Sequence, residues 1–194
     1  RKYGIWLHLV CQAPALIQAI AAEGYPNFAI APSGDRPVYT AIIWLEPFTA
    51  MNQRAFGYDM YTEPVRQKAM DRTRDTGQTS VTGKVILVQE GEREIQNGIL
   101  MYVPSYRASM PLETVQQRRD ALRGFVYSPI RMNDLVAGAL GAIPGEIDFT
   151  IHTNQDGNGD TLLYSAAQHR RYKAPADQSA RFRASKTIEI YGVS

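Results

Sequence analysis

Cysteine is almost absent: the 194 residues contain one, Cys11. An internal disulfide is therefore impossible, and without a Cys/His cluster so is structural zinc. Cys11 has apolar neighbours and reads as a buried, inert thiol. The three histidines, His8, His152 and His169, lie far apart and lack the spacing of metal ligands. Neither a metal nor a cofactor is expected. A dominant charge is lacking too. A formal net charge of +2, with no Lys/Arg cluster interleaved with aromatics, excludes a nucleic-acid interface. The sequence has no nucleophile elbow, phosphate-binding glycine loop or dinucleotide turn. The longest apolar stretch, 5–22, carries His8, Gln12, Pro14 and Gln18, too polar a set for a membrane span. The chain opens on Arg1 without a Met or a leader-like segment, as a piece of a longer protein would. Membrane attachment is expected only through flanking segments.

What is present suits a globular domain with a real core: 44% of residues are hydrophobic and 21% charged. Residues 1–24 read mainly as a helix, because Leu9, Leu16, Ile17 and Ile20 recur at helical spacing; Pro14 should kink it and Gly24 end it. A hairpin is expected next, with a strand around Phe28 and Ile30, a turn at 33–37, and a strand over 38–45 closed by Glu46-Pro47. Residues 51–56 read as one or two helical turns, closed by Gly57. Thr62 should cap a helix that begins with Glu63-Pro64 and ends at Gly77, burying Val65, Ala69 and Thr73 with Met70 at the edge. Arg66, Lys68, Asp71, Arg72 and Arg74 are expected in solvent. Strands over 80–89 and 95–103 follow, joined by a charged turn at 90–94, and Pro104 should stop the second. Beyond Tyr106 come a helix over 112–122, a short strand at 124–127 and a helix capped by Asn133 or Asp134 and ended by Gly141. Further strands are expected near 147–152, 161–165 and 187–193. Residues 154–160 imitate the start of a calcium-binding loop, but the twelfth position is Ser165 and the flanks are strands, so a hairpin turn is the better reading.

Several motifs occur in order: Gly57-Tyr58-Asp59, Glu63-Pro64-Val65-Arg66, Asp75-Thr76-Gly77, Thr82-Gly83, Leu87-Val88-Gln89-Glu90 and Met101-Tyr102-Val103-Pro104-Ser105-Tyr106. Arg118, Gly124-Phe125-Val126-Tyr127, Arg131-Met132 and Asp134-Leu135 continue the series. Together they resemble the CHASE domain, an extracytoplasmic sensor of histidine kinases, diguanylate cyclases and plant cytokinin receptors. The resemblance runs well from about Pro37 to Leu140 and loosely after that. It implies an α+β fold: an N-terminal helix (1–27), a membrane-distal PAS-like ligand-binding lobe (28–123) and a membrane-proximal PAS-like lobe (124–194). Each lobe would be an antiparallel sheet with flanking helices. By the same resemblance Asp59 would be the polar anchor of a small-molecule ligand. Val81, Leu87, Met101, Tyr102, Phe125 and Ser128 would line the pocket. Tyr102 falls where the plant receptors have a threonine and would fill much of that cavity, which argues against a cytokinin-like purine. A homodimer through the N-terminal helix is implied as well, in a periplasmic or extracellular portion of a cell-membrane protein.

Read from its residues alone, Asp59 has two roles open to it: local capping at a helix entrance, or contact with a ligand. Two other functions compete with a non-enzymatic sensor. A small periplasmic hydrolase would need two convergent titratable groups, and pairing Asp59 with Glu63, Glu90 or Glu94 has no support in spacing. A PAS-like protein-interaction module with a collapsed pocket is the other, and Tyr102 makes it credible.

Overall fold

The computed structural model describes residues 4–8, 13–87, 96–141, 147–154, 161–169 and 182–190. Its main sheet is antiparallel. Strands β1 (Gly4–His8), β2 (Ile42–Glu46), β3 (Ser80–Val81), β4 (Val85–Ile86), β5 (Asn97–Tyr106) and β6 (Leu122–Arg131) run in the order β2-β1-β6-β5-β3, and β4 also pairs with β5. The longest ladder joins β5 to β6, from Gly98↔Arg131 through Tyr102↔Tyr127 to Tyr106↔Leu122. Among the described residues, five helices accompany the strands: α1 (Ala13–Ala22), α2 (Ala50–Gln53), α3 (Pro64–Thr76), α4 (Val115–Ala121) and α5 (Met132–Leu140). A two-stranded sheet of β7 (Thr150–Thr153) and β8 (Thr161–Ser165) follows. The expected α+β class with antiparallel sheets is what forms.

Helix α3 builds the core by laying Ala69, Met70 and Thr73 against the sheet. Met70, Leu100, Tyr102, Leu122, Phe125 and Tyr127 belong to one buried cluster. Glu63 caps this helix with its carboxylate, which accepts from the backbone N–H groups of Val65 (3.1 Å) and Arg66 (3.0 Å). The expected cap, Thr62, instead donates its hydroxyl to the Asp59 carbonyl at 2.7 Å. With proline at the first helical position, the capping carboxylate sits one residue nearer the helix than Thr62, where the free amides and the positive end of the dipole are. Gly77 ends α3 in the left-handed region, φ 73°, as its position implied.

The first element differs most from expectation. Residues 4–8 are a strand, not the start of a helix, and they lie between β2 and β6 (Ile5↔Leu45 and Ile5↔Tyr127). A short Ile-Trp-Leu run with a neighbour on each side suits a strand better than helical spacing carried back from Leu16 and Ile20. Pro14 then falls in the first turn of α1, where proline needs no intrahelical donor, and no kink is required. The hairpin expected over 28–45 does not form either: Ala31 bridges Tyr58, Ala41 bridges Asp59, and only 42–46 is a strand. Nor does Pro104 stop β5, which continues to Tyr106. Leu100 directs its N–H and carbonyl to Thr82, on the β3 side. Pro104, of the same parity, presents its missing donor to that side, where β3 has already ended at Ser80.

The strand expected at 124–127 is longer, Leu122–Arg131, and sits inside the main sheet, so the expected boundary at 123/124 falls within β6. No strand forms over 182–189, and Ile190 makes only an isolated bridge. The turns expected at 90–94 and across most of 154–160 lie outside the described residues.

The Gly57 turn holds two segments close together. Gly57 N–H donates to Ile42 O at 2.8 Å and its carbonyl accepts from Ala31 N–H at 3.0 Å, at φ 83°. A β-carbon there would stand 2.1 Å from the Ala29 carbonyl oxygen. Gly57→Ala is therefore expected to destabilise the fold by about 3 kcal/mol, read as a lower urea midpoint at unchanged slope.

Candidate functional site

Asp59 follows that turn and is fully buried. Its Oδ1 accepts from Thr40 N–H (2.8 Å), Thr40 Oγ1 (3.1 Å) and Tyr61 N–H (3.2 Å), and its Oδ2 accepts from Arg36 Nε–H at 2.7 Å. The carboxylate thus caps a short 3-10 turn, Met60–Thr62, which leads into α3. Arg36 lies over the Tyr39 ring at 5.0 Å and also donates to the Pro32 carbonyl. Arg36 and Tyr39 form part of the wall of a surface cleft of about 670 Å³, together with Pro14, Ile17, Ile30 and Gly34.

A second polar cluster lies inside the core, where α3 meets the sheet. Arg66 is 3% exposed. Its guanidinium donates from Nη2 to Ile86 O at 2.8 Å and from Nη1 to Met60 Sδ at 3.4 Å, and it stacks over Tyr58 at 5.1 Å. Arg66 Nε lies 3.7 Å from Glu63 Oε2, within ion-pair range but too long for a hydrogen bond, and it has no other partner. Tyr102 has zero exposure, packed between Phe125 (6.0 Å between centroids) and Tyr127 (5.8 Å), and its hydroxyl has no partner. Burial pushes the Tyr102 phenol well above its usual pKa, opposed chiefly by the nearby Arg66 charge. The hydroxyl keeps its proton. Thr73 Oγ1, on the same buried side of α3, also lacks a partner.

The sequence profile of the CHASE domain matches residues 6–164. The chain belongs to the CHASE domain family. CHASE domains are extracellular sensor modules of signalling receptors and are not catalytic. No curated protein matches the chain. No helix among the described residues is long and apolar enough to cross a membrane, and these residues contain no cluster of potential metal ligands.

The sheet register sorts the expected pocket residues of this CHASE domain. Residues paired across antiparallel strands share a face. Tyr102 pairs with Tyr127, and Phe125 with Pro104, so both aromatic rings lie on the face covered by α3, where Leu87 joins the same cluster. Met101 pairs with Ser128 and with Val81, which puts those three on the opposite face. The structure therefore brings together Leu87, Tyr102 and Phe125 and separates them from Val81, Met101 and Ser128. Asp59, expected as the ligand anchor, is buried and meets Arg36, Thr40 and Tyr61.

Two residues were not picked out from the sequence. Arg36 was read as turn chemistry, and nothing local reveals that its partner lies 23 positions later. Arg66 was expected in solvent with the other charges of its helix. Its spacing from Ala69 and Thr73 places it on the buried face, a signal hidden by the usual behaviour of arginine.

Other quoted motif residues form a clasp at the far end of α3. Asp75 accepts from Arg119 Nε (2.9 Å) and Nη2 (2.6 Å) and from Arg74 Nε (2.6 Å), which holds its carboxyl well below the usual carboxylate range. Arg118 Nε donates to Asp75 O at 2.7 Å, and Tyr106 OH to Arg74 O at 2.7 Å.

Two outcomes follow from this geometry. Because the Tyr102 hydroxyl has no acceptor, Tyr102→Phe should leave the free protein unchanged or about 1 kcal/mol more stable, measured by urea denaturation. The lowered pKa of Asp75 stabilises the fold above the unfolded carboxylate value, about 3.9, and that stabilisation disappears as pH falls through the folded value. With solvent screening at a partly exposed clasp, Asp75→Asn should lose about 1 kcal/mol at pH 7. The gap from the parent protein should close as the solution is acidified.

Proposed function

We propose that this CHASE domain is the ligand-sensing input of a membrane-bound receptor whose output is a histidine kinase or a diguanylate cyclase, exposed on the periplasmic side of the cell membrane. A small molecule is taken up in the first lobe, between α3 and the sheet. The observation that carries this reading is the pair of sealed, unpartnered donors, Arg66 Nε–H and Tyr102 O–H. Folded proteins seldom leave such groups without an acceptor, and a ligand is one way to supply it. Leu87, Tyr102 and Phe125 line this site. Asp59 fastens its rim through Arg36, and a ligand reaching Asp59 would first have to displace that guanidinium. The ligand biases the output only through its differential affinity for two packings of the lobe. Pairing of two copies through the first helix belongs to the same proposal, with α1 offering ten residues for it.

One observation favours a second reading, a protein-docking module with a collapsed pocket: the Tyr102 ring fills the space between Phe125 and Tyr127. A thermal-shift screen of purines, amino acids and small acids separates the two. The sensor reading expects at least one compound to raise the melting temperature, as mass action requires of a ligand for the folded state. A screen without any such compound supports docking. Asp59→Asn should melt several degrees lower yet keep the ligand-induced increment; loss of the increment alone would make Asp59 the anchor.

A further inference from the structure

Two of the groups left without partners in the core can donate to a ligand, and Thr73 Oγ1 is a third unpartnered polar atom on the same side of α3. Arg66 Nε–H is a donor that cannot act as an acceptor, and Tyr102 O–H is held protonated. The nearest counter-charge to Arg66 is Glu63, whose two oxygens already accept the first amides of α3. A buried arginine with so little compensation favours any negative charge that can reach it. Glu63, 3.7 Å from Arg66 Nε, is the acid paired with these inner groups. What the site lacks is an acceptor with a negative charge.

We propose that the α3–sheet core of this domain binds a small carboxylate ligand, held by Arg66 Nε–H and Tyr102 O–H. This rests on the sensor reading above and adds the chemical class of the ligand. A carboxylate presents two oxygens, one for each donor, and a charge-assisted bond to a guanidinium is about twice as strong as a neutral one. The way in is under β4. That strand is two residues long, pairs with β5 only at Gly98 and Asn97, and is held to α3 by the bond from Arg66 to Ile86 O. The Ile86 side chain is 57% exposed, while Val85 and Leu87 on either side of it are core residues that lifting the strand would uncover. Arg66 thus holds both the cover and the ligand, and binding is coupled to the strand edge.

Formate tests this without knowledge of the natural ligand, because it is the smallest carboxylate and makes no demand on the shape of the rest of the pocket. Melting temperatures of the intact domain are compared in sodium formate and in sodium chloride of equal ionic strength. The expected result is a rise of about 2–4 °C in formate, lost in Tyr102→Phe and in Arg66→Met. Tyr102→Phe is nearly isosteric and removes no native hydrogen bond, so it remains informative if the arginine variant does not fold. Equal melting in the two salts overturns the proposal, and so does a formate response that survives in Tyr102→Phe. If formate has no effect while a neutral compound stabilises the protein in the screen, the carboxylate site falls and the sensor reading stands. If neither stabilises it, both fall.

Discussion

Asp59 lies fully out of water, and a carboxylate is tolerated there only because each of its oxygens meets donors. Thr40 and Tyr61 supply three of them, and Arg36 supplies the charge. Those donors belong to separate stretches of chain: the irregular segment before β2, and the short turn before α3. Removing one partner from a buried ion pair costs about 3–5 kcal/mol, since the other charge is left uncompensated. The position of α3 over the sheet depends on this knot, because the turn Asp59 caps runs directly into the helix.

From there the geometry of the site follows. With its entrance fixed, α3 presents Arg66, Ala69, Met70 and Thr73 to the sheet, and its far end is clasped by Asp75, Arg118 and Tyr106. A helix held at both ends cannot easily rotate to bring Arg66 back to water. Its guanidinium remains inside with a carbonyl, a thioether and a tyrosine face for company. Glu63, 3.7 Å away, is the counter-charge paired with it among the described residues.

Much of the layout was legible in local chemistry. Gly77 and Gly141 end helices where expected, and the strand expected at 161–165 forms; the helical turns expected over 51–56 instead stop at Gln53, short of Gly57. The boundaries of α3 could be read because proline and glycine constrain the backbone whatever surrounds them. The first segment could not be read the same way. An apolar run of three residues, Ile5-Trp6-Leu7, carries no period of its own, and residues 4–8 become a strand because β2 and β6 are there to pair with them. Pro104 misled for a related reason. A proline stops a strand only where its missing donor is needed, and that depends on which neighbour has already ended.

By itself, the sequence determined the class of fold, the family motifs and their order, the limits of the main helix and, with one cysteine, the lack of an internal disulfide. These are properties of single residues and short spacings, which act before the chain has neighbours. Tertiary structure decided that Asp59 would be tied to Arg36, that Arg66 would be buried, and that Tyr102 and Phe125 would share a face from which Met101 and Ser128 are turned away. Each of those outcomes depends on sheet register or on a partner distant in the chain, and a one-residue change of register would have exchanged the two faces.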